Sequence, residues 1–222
     1  MTPKHKGKPG GDQVSELTAG RLAVYLRCLN VLEADGVPTV SSKTLAERFN
    51  LNAAQIRKDL AYFGEFGVRG VGYYVPELKR HLRQILGLDR AVRVAILGAG
   101  NLGMALADYP GFREEGFVIA GLFDTSKDKI GRASRGGVPI FDMADFAEIM
   151  RRERIAIALI AVPAASAQAV AEQAIAAGVR ALLNFAPGQL KTPRGVKVKL
   201  LDVTTSMSSL SFFLTQGEDR DA

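Results

Sequence analysis

The chain has 222 residues, 29 Lys and Arg against 23 Asp and Glu, and a formal net charge of +6. With 47% hydrophobic and 23% charged residues it does not read as a disordered chain, and its length holds one large or two modest domains. A single cysteine, Cys28, and two distant histidines, His5 and His81, exclude a disulfide framework and give no zinc-binding spacing.

The charge is unevenly placed. Residues 1–90 carry 14 basic and 9 acidic side chains, whereas residues 91–222 carry 15 and 14. The excess points to a nucleic-acid-binding half followed by a near-neutral half. Residues 1–14 are rich in Lys and Gly without an apolar core, so they read as a basic flexible tail rather than a secretory signal. The most apolar run, residues 155–167, is too short to cross a bilayer and contains Pro163. A cytoplasmic protein without membrane contact is expected.

From Ser15 onward, Leu22, Leu26, Leu29 and Leu32 recur at helical spacing until Asp35-Gly36 ends the run. Ser41 or Ser42 suits the cap of a short second helix with Leu45, Ala46 and Phe49 inward. After the Asn50-Leu51-Asn52 turn, Asn52 and Gln55 form a capping-box-like pair opening a third helix with Ile56, Leu60 and Phe63 on its buried stripe. Residues 64–74 are glycine-rich and flanked by β-formers, the pattern of a tight hairpin. This is a winged helix-turn-helix over residues 15–88, closed by a linking helix near residues 76–86. On the third helix Lys58 points away from the stripe, Arg57 lies on its flank and Gln55 near its start, a set able to reach base edges and phosphates. Arg69 sits at the wing tip, suited to a minor groove; Tyr73 and Tyr74 either bond phosphate or pack.

Residues 89–203 change character. Apolar runs at 92–97, 118–123, 155–162, 181–185 and 196–203 read as buried strands, with helices between most of them at 101–108, 143–152 and 166–177. Such alternation means a doubly wound, mainly parallel sheet, a Rossmann-type α/β domain. The first strand runs into Gly98-Ala99-Gly100-Asn101-Leu102-Gly103, a G-x-G-x-x-G turn opening a helix, which suits a dinucleotide pyrophosphate. Asp124 follows 21 residues past Gly103 at the end of the second strand. There an acid bonds the adenosine ribose and disfavours a 2′-phosphate, so NAD is preferred to NADP. The competing reading is a turn in an unliganded or CoA-binding fold. Pro163, Asn184 and Phe185 close two further strands, and Tyr109 lies on a turn after the first Rossmann helix. Each is either a ligand contact or ordinary turn chemistry. Residues 204–222 hold a helix near 206–215 with an apolar face of Met207, Leu210, Phe213 and Leu214. No acid–base set accompanies the nicotinamide site, which argues for sensing instead of catalysis.

Several motifs together resemble the Rex family of bacterial redox-sensing transcriptional repressors. They are Ser-Ser-x-x-Leu-Ala at 41–46, Gln55-Ile56-Arg57-Lys58-Asp59-Leu60, Tyr62-Phe63-Gly64-Glu65-Phe66-Gly67, and Arg69-Gly70-Val71-Gly72-Tyr73. The glycine turn at 98–103, Asp108-Tyr109-Pro110-Gly111-Phe112 and Asn184-Phe185-Ala186-Pro187 complete the set. The resemblance implies a homodimer whose C-terminal helix is swapped onto its partner and which binds double-stranded operator DNA with an inverted repeat. It implies repression when NADH is low and release when NADH rises, with NADH and NAD+ as effectors and no enzymatic activity. It also implies DNA contacts from Ser41, Ser42, Gln55, Arg57, Lys58, Arg69, Gly70 and Tyr73. Arg27, Tyr109 and Asp202 are implied to form a network between nicotinamide and the DNA-binding domain. The Lys-rich tail and Ser-rich C-terminal helix depart from the pattern. The rival class is a small NAD-dependent oxidoreductase, or a CoA-binding ligase subunit, with an accessory helical domain.

Overall fold

A computed structural model of the chain describes residues 14–218 and divides it into two compact units, meeting between Arg90 and Ala91. Most of the tail expected over residues 1–14, and the last four residues, lie outside the described part.

In the first unit, Ser15 accepts from the Thr18 amide at 3.1 Å and starts α1 (Glu16–Ala34). Its stripe of Leu22, Leu26, Leu29 and Leu32 is 0–1% exposed. Burial of one such leucine contributes about 1.5–3 kcal/mol. Strand β1 (Thr39–Val40) precedes α2 (Ser42–Phe49), which Ser41 caps through the Thr44 amide at 3.0 Å. The turn to α3 (Ala53–Phe63) places Asn50 at φ +52, a left-handed conformation that asparagine tolerates. Asn52 caps α3 as expected, but the Gln55 side chain turns away from the cap, so only half of the capping box forms.

Strands β2 (Gly67–Val68) and β3 (Gly72–Tyr74) make the wing, with Val68 opposite Gly72 and Arg69, Gly70 and Val71 at its tip. β1 pairs with the other edge of β3, a third strand too short to show in the hydropathy pattern. Helix α4 (Val75–Ile85) packs on α1 and buries Leu78 and Leu82, and His81 stacks on Phe66 at the wing's base.

The second unit is a six-stranded, wholly parallel sheet of β4 (Val92–Leu97), β5 (Phe117–Asp124), β6 (Ile140–Asp142), β7 (Ile157–Ile160), β8 (Ala181–Asn184) and β9 (Lys197–Leu200). Its spatial order is β6-β5-β4-β7-β8-β9, the doubly wound arrangement. Along β4, Val94 and Ile96 join a core beneath α5 (Asn101–Ala107) and α6 (Pro110–Glu114). Ala95 and Leu97 join another beneath α7 (Phe146–Arg152) and α8 (Ala164–Ala176). Two covered faces account for a strand that is apolar without alternation.

Four further elements differ from the sequence reading. Strand β6 was not expected: it is three residues long beside polar turns. The Asp108–Gly111 turn opens the short helix α6, with Pro110 at a position where no amide donor is needed. Strand β9 lies at the sheet edge and is mostly exposed rather than buried, with Lys197 and Lys199 in it. Helix α9 (Val203–Glu218) is longer than expected and carries Val203, Met207, Leu210 and Leu214 at steps of four, three and four, each at least 61% exposed.

Candidate functional site

The strand order reverses between β4 and β7, and a ligand-sized crevice opens there. The cleft measures about 390 Å³ and is lined by Gly98, Gly100, Asp124, Thr125, Lys129 and Pro163 among others. The three glycines of the turn differ. Gly98 has φ +106, and a Cβ there would lie 2.5 Å from the Ala161 carbonyl oxygen, so the crossing of β4 and β7 requires glycine. Gly103 lies against the same turn, and a Cβ there would overlap the Gly98 carbonyl oxygen. Gly100, the cap of α5, has an ordinary φ of −80 and open space where a Cβ would stand. The fold does not need glycine at 100. A phosphate approaching the backbone does, and no side chain caps the α5 amides ahead of it. Ala99 is buried, while Asn101 and Leu102 are exposed on the first turn of α5.

Asp124 faces this turn from the end of β5. It accepts from the Ala99 amide at 2.8 Å, the Ser126 amide at 2.9 Å and the Lys129 ammonium at 3.0 Å. Burial alone would raise its pKa, but these donors outweigh burial and hold the carboxyl below its usual value. It is therefore an anion fixed beside the glycine turn. Lys129 was missed from the sequence; the signal was a Lys five residues past the acid, in a loop leading back to the crevice.

The remaining expected ligand contacts separate. Asn184 is 1% exposed, and its amide is engaged within its own turn: it donates to the Ala186 and Gly188 carbonyls and accepts from the Ala186 amide. It shapes the loop after β8 instead of presenting a free amide. Phe185 is half-buried against the α5–α6 core. Tyr109 is 56% exposed with its ring edge-on to Phe112 and lying over Gly111. The corner carrying it is clamped from behind by Asp108, which accepts from the Ser134 hydroxyl at 2.5 Å and the Gly136 amide at 2.9 Å. Asp202 caps α9 through the amides and hydroxyls of Thr204 and Thr205, which bring its carboxyl down to about 2.

In the first unit, Lys58 stands exposed on the outer face of α3 and Arg69 on the wing tip with Gly70. Arg57 is exposed and donates to the Ser42 hydroxyl at 2.9 Å, tying α3 to α2, while Ser41 serves as the α2 cap. Tyr73 is 9% exposed and its ring lies against Gly67, so it builds the wing; its neighbour Tyr74 is the exposed one. Gln55 donates to Asp59 at 2.7 Å and so supports α3 instead of projecting from it. Arg27 is exposed on α1, off the leucine stripe.

Asp59, 4% exposed, is the hub that sequence reasoning missed. Arg21 of α1 grips it with two bonds of 2.6 and 2.8 Å, and Tyr25 donates at 2.9 Å. The Arg21 guanidinium, with Gln55 and Tyr25, outweighs burial and lowers the Asp59 pKa. Burial and this carboxylate push the Tyr25 hydroxyl up to about 12. Asp59 follows Arg57-Lys58 and reads as one more charge of an exposed run; its i−4 partner Gln55 was the available clue.

Comparisons with known proteins fit this geometry. The family described as CoA binding domain matches residues 89–188, and that described as putative DNA-binding protein N-terminus matches residues 13–61. The redox-sensing transcriptional repressor Rex of Carboxydothermus hydrogenoformans is 46% identical over 202 residues, 91% of this chain and 97% of that protein. Its namesake in Thermus thermophilus is 46% identical over 209 residues, 94% and 98% of the two chains. The crystal structure of RSP with β-NAD+ and operator DNA matches at TM-score 0.87 and 36% identity over 95% of this chain and 97% of that one. RSP with β-NADH matches at 0.82 and 34%, over 95% and 99%. No helix among the described residues is long and apolar enough to cross a membrane.

Proposed function

The chain belongs to the Rex family of redox-sensing transcriptional repressors, and from that premise we propose that it binds operator DNA as a homodimer and leaves it when NADH occupies the β4–β7 cleft. The observation that carries this reading is Gly100, a glycine that the fold leaves unexplained and a pyrophosphate explains. The turn of Gly98 to Gly103 would hold the phosphates, and Asp124 the adenosine ribose hydroxyls. The same carboxylate argues against CoA as the ligand, because a ribose carrying a 3′-phosphate would meet a fixed anion. The proposed contacts to DNA are Lys58 and Arg57 on α3 and Arg69 at the wing, where exposed cations meet bases or phosphates.

The ligand switches a two-state dimer. The nicotinamide is positively charged in NAD+ and neutral in NADH, and only a difference in affinity for the two states moves their balance. Arg27, Tyr109 and Asp202 are the proposed sensors of that charge. The uncovered apolar stripe of α9 supports a second copy of the chain as partner, since its residues reach full burial only against another surface. A twofold dimer in turn suits an inverted-repeat operator.

Linkage supplies the test. Operator DNA must weaken NADH binding by the same factor by which NADH weakens DNA binding. Fluorescence anisotropy on the protein's own upstream DNA, with NADH and NAD+, should show release by NADH at fixed salt. NADH titrated with and without that DNA should give two affinities; a single affinity refutes the switch.

A further inference from the structure

Asp124 and Lys129 form an ion pair inside the cleft, with the carboxylate 13% and the ammonium 41% exposed. The loop between them is Thr125-Ser126-Lys127-Asp128, in which Thr125 and Lys129 line the cleft and the Ser126 amide is held by Asp124. Hydroxyls, a backbone amide and an ammonium next to a strand-end ribose site are the donors that a phosphate monoester recruits. Here the Lys129 ammonium and two amides, of Ala99 and Ser126, converge on a carboxylate instead. The Ala99 amide, the Ser126 amide and the Lys129 ammonium are each groups that a phosphate would also take.

We propose that Lys129 is the specificity-determining partner of Asp124: paired, it is withheld from the ligand, and once the carboxylate charge is removed it becomes an anchor for a 2′-phosphate. The proposal rests on the cleft being the dinucleotide site. The Asp124 anion rejects the doubly charged phosphate of NADPH, and Lys129 moderates that rejection by cancelling part of the charge. The cleft is therefore one charge away from the opposite preference.

Calorimetric titration of the full chain with NADH and NADPH tests this, using Asp124→Asn, Lys129→Ala and the double variant. The native chain should prefer NADH. Asp124→Asn, whose amide oxygen still accepts from a loop amide, should bind NADPH at least about tenfold tighter than the native chain, the effect of one charge-assisted hydrogen bond. That gain should shrink at high salt and vanish in the double variant. Lys129→Ala alone should weaken NADPH more than NADH and so widen the native discrimination. No gain in Asp124→Asn, or a gain that survives loss of Lys129, overturns the proposal. If Asp124→Asn does not fold, an unchanged NADPH-to-NADH ratio in Lys129→Ala overturns it equally. A native chain that binds neither nucleotide refutes the dinucleotide reading itself, and the proposal with it.

Discussion

Gly100 allows binding and folding to be separated at one atom. A Cβ at Gly100 meets nothing within 4 Å, and φ −80 with ψ −175 is open to any residue. Gly100→Val gives up a favourable helix cap, at about 1 kcal/mol, and gains about 0.4–1 kcal/mol from a stiffer unfolded chain. These nearly cancel, so the melting temperature should stay within about 3 °C of native. Gly103→Ala drives a methyl into the Gly98 carbonyl oxygen, which overpacks the turn at about 2 kcal/mol and lowers the melting temperature by about 4–8 °C. In the cleft the order inverts. The valine occupies the space of the approaching phosphate and removes two or more charge-assisted bonds, a loss of at least about 100-fold in NADH affinity. Calorimetry against NADH and scanning calorimetry with and without NADH read both effects. NADH at 100 times its native Kd should stabilise the native chain by about 2.7 kcal/mol and Gly100→Val by no more than about 0.4 kcal/mol. A Gly100→Val chain that binds NADH within a few-fold of native, or that unfolds early, refutes the assignment.

Three further outcomes are expected. Asp59→Ala should destabilise the first unit by about 3 kcal/mol in urea unfolding, since it leaves Arg21, Tyr25 and Gln55 without their acceptor. Because the Asp59 pKa is lowered on folding, its stabilisation is complete above about pH 4 and is lost as pH falls through and below that value; Asp59→Ala should flatten that part of the acid-unfolding curve. Lys58→Ala should weaken operator binding by about tenfold, while Arg69→Ala should lose affinity chiefly at A·T-rich half-sites; both are read by anisotropy at fixed salt. Leu210→Asp with Phe213→Asp on α9 should yield a monomer in sedimentation velocity with the far-ultraviolet spectrum retained, because both side chains are over 60% exposed in one chain.

The legible part of the fold was the part written in period and punctuation. The leucines of α1 recur at three and four, and the β4 run ends on glycines. Asn52 starts α3, and each of these signals is local to a few residues. What escaped depends on partners distant in sequence. Strand β1 exists because β3 offers it an edge, and β6 because β5 does. Asp59 looked like a surface charge until Arg21, 38 residues away, came to lie against it. The site shows the same division. Gly98, Gly100 and Asp124 were readable as a spaced motif, and the structure brings them to one cleft. Asn184 and Tyr73 were readable as polar groups at promising positions, but burial turned one into a loop brace and the other into a wing support. Lys129 had no motif, only proximity after folding.

The clasp around Asp59 has a consequence for how such a regulator diversifies. The inner side of α3 is anchored to α1 through Asp59, with Ile56 and Leu60 buried on the same side, whereas Lys58 stands exposed on its outer side. Sequence preference can therefore drift on one side of a single helix while the scaffold that α1 shares with Arg27 stays intact. One nucleotide-responsive chassis can be re-addressed to new promoters by a handful of exchanges at the protein surface, without rebuilding the part that listens.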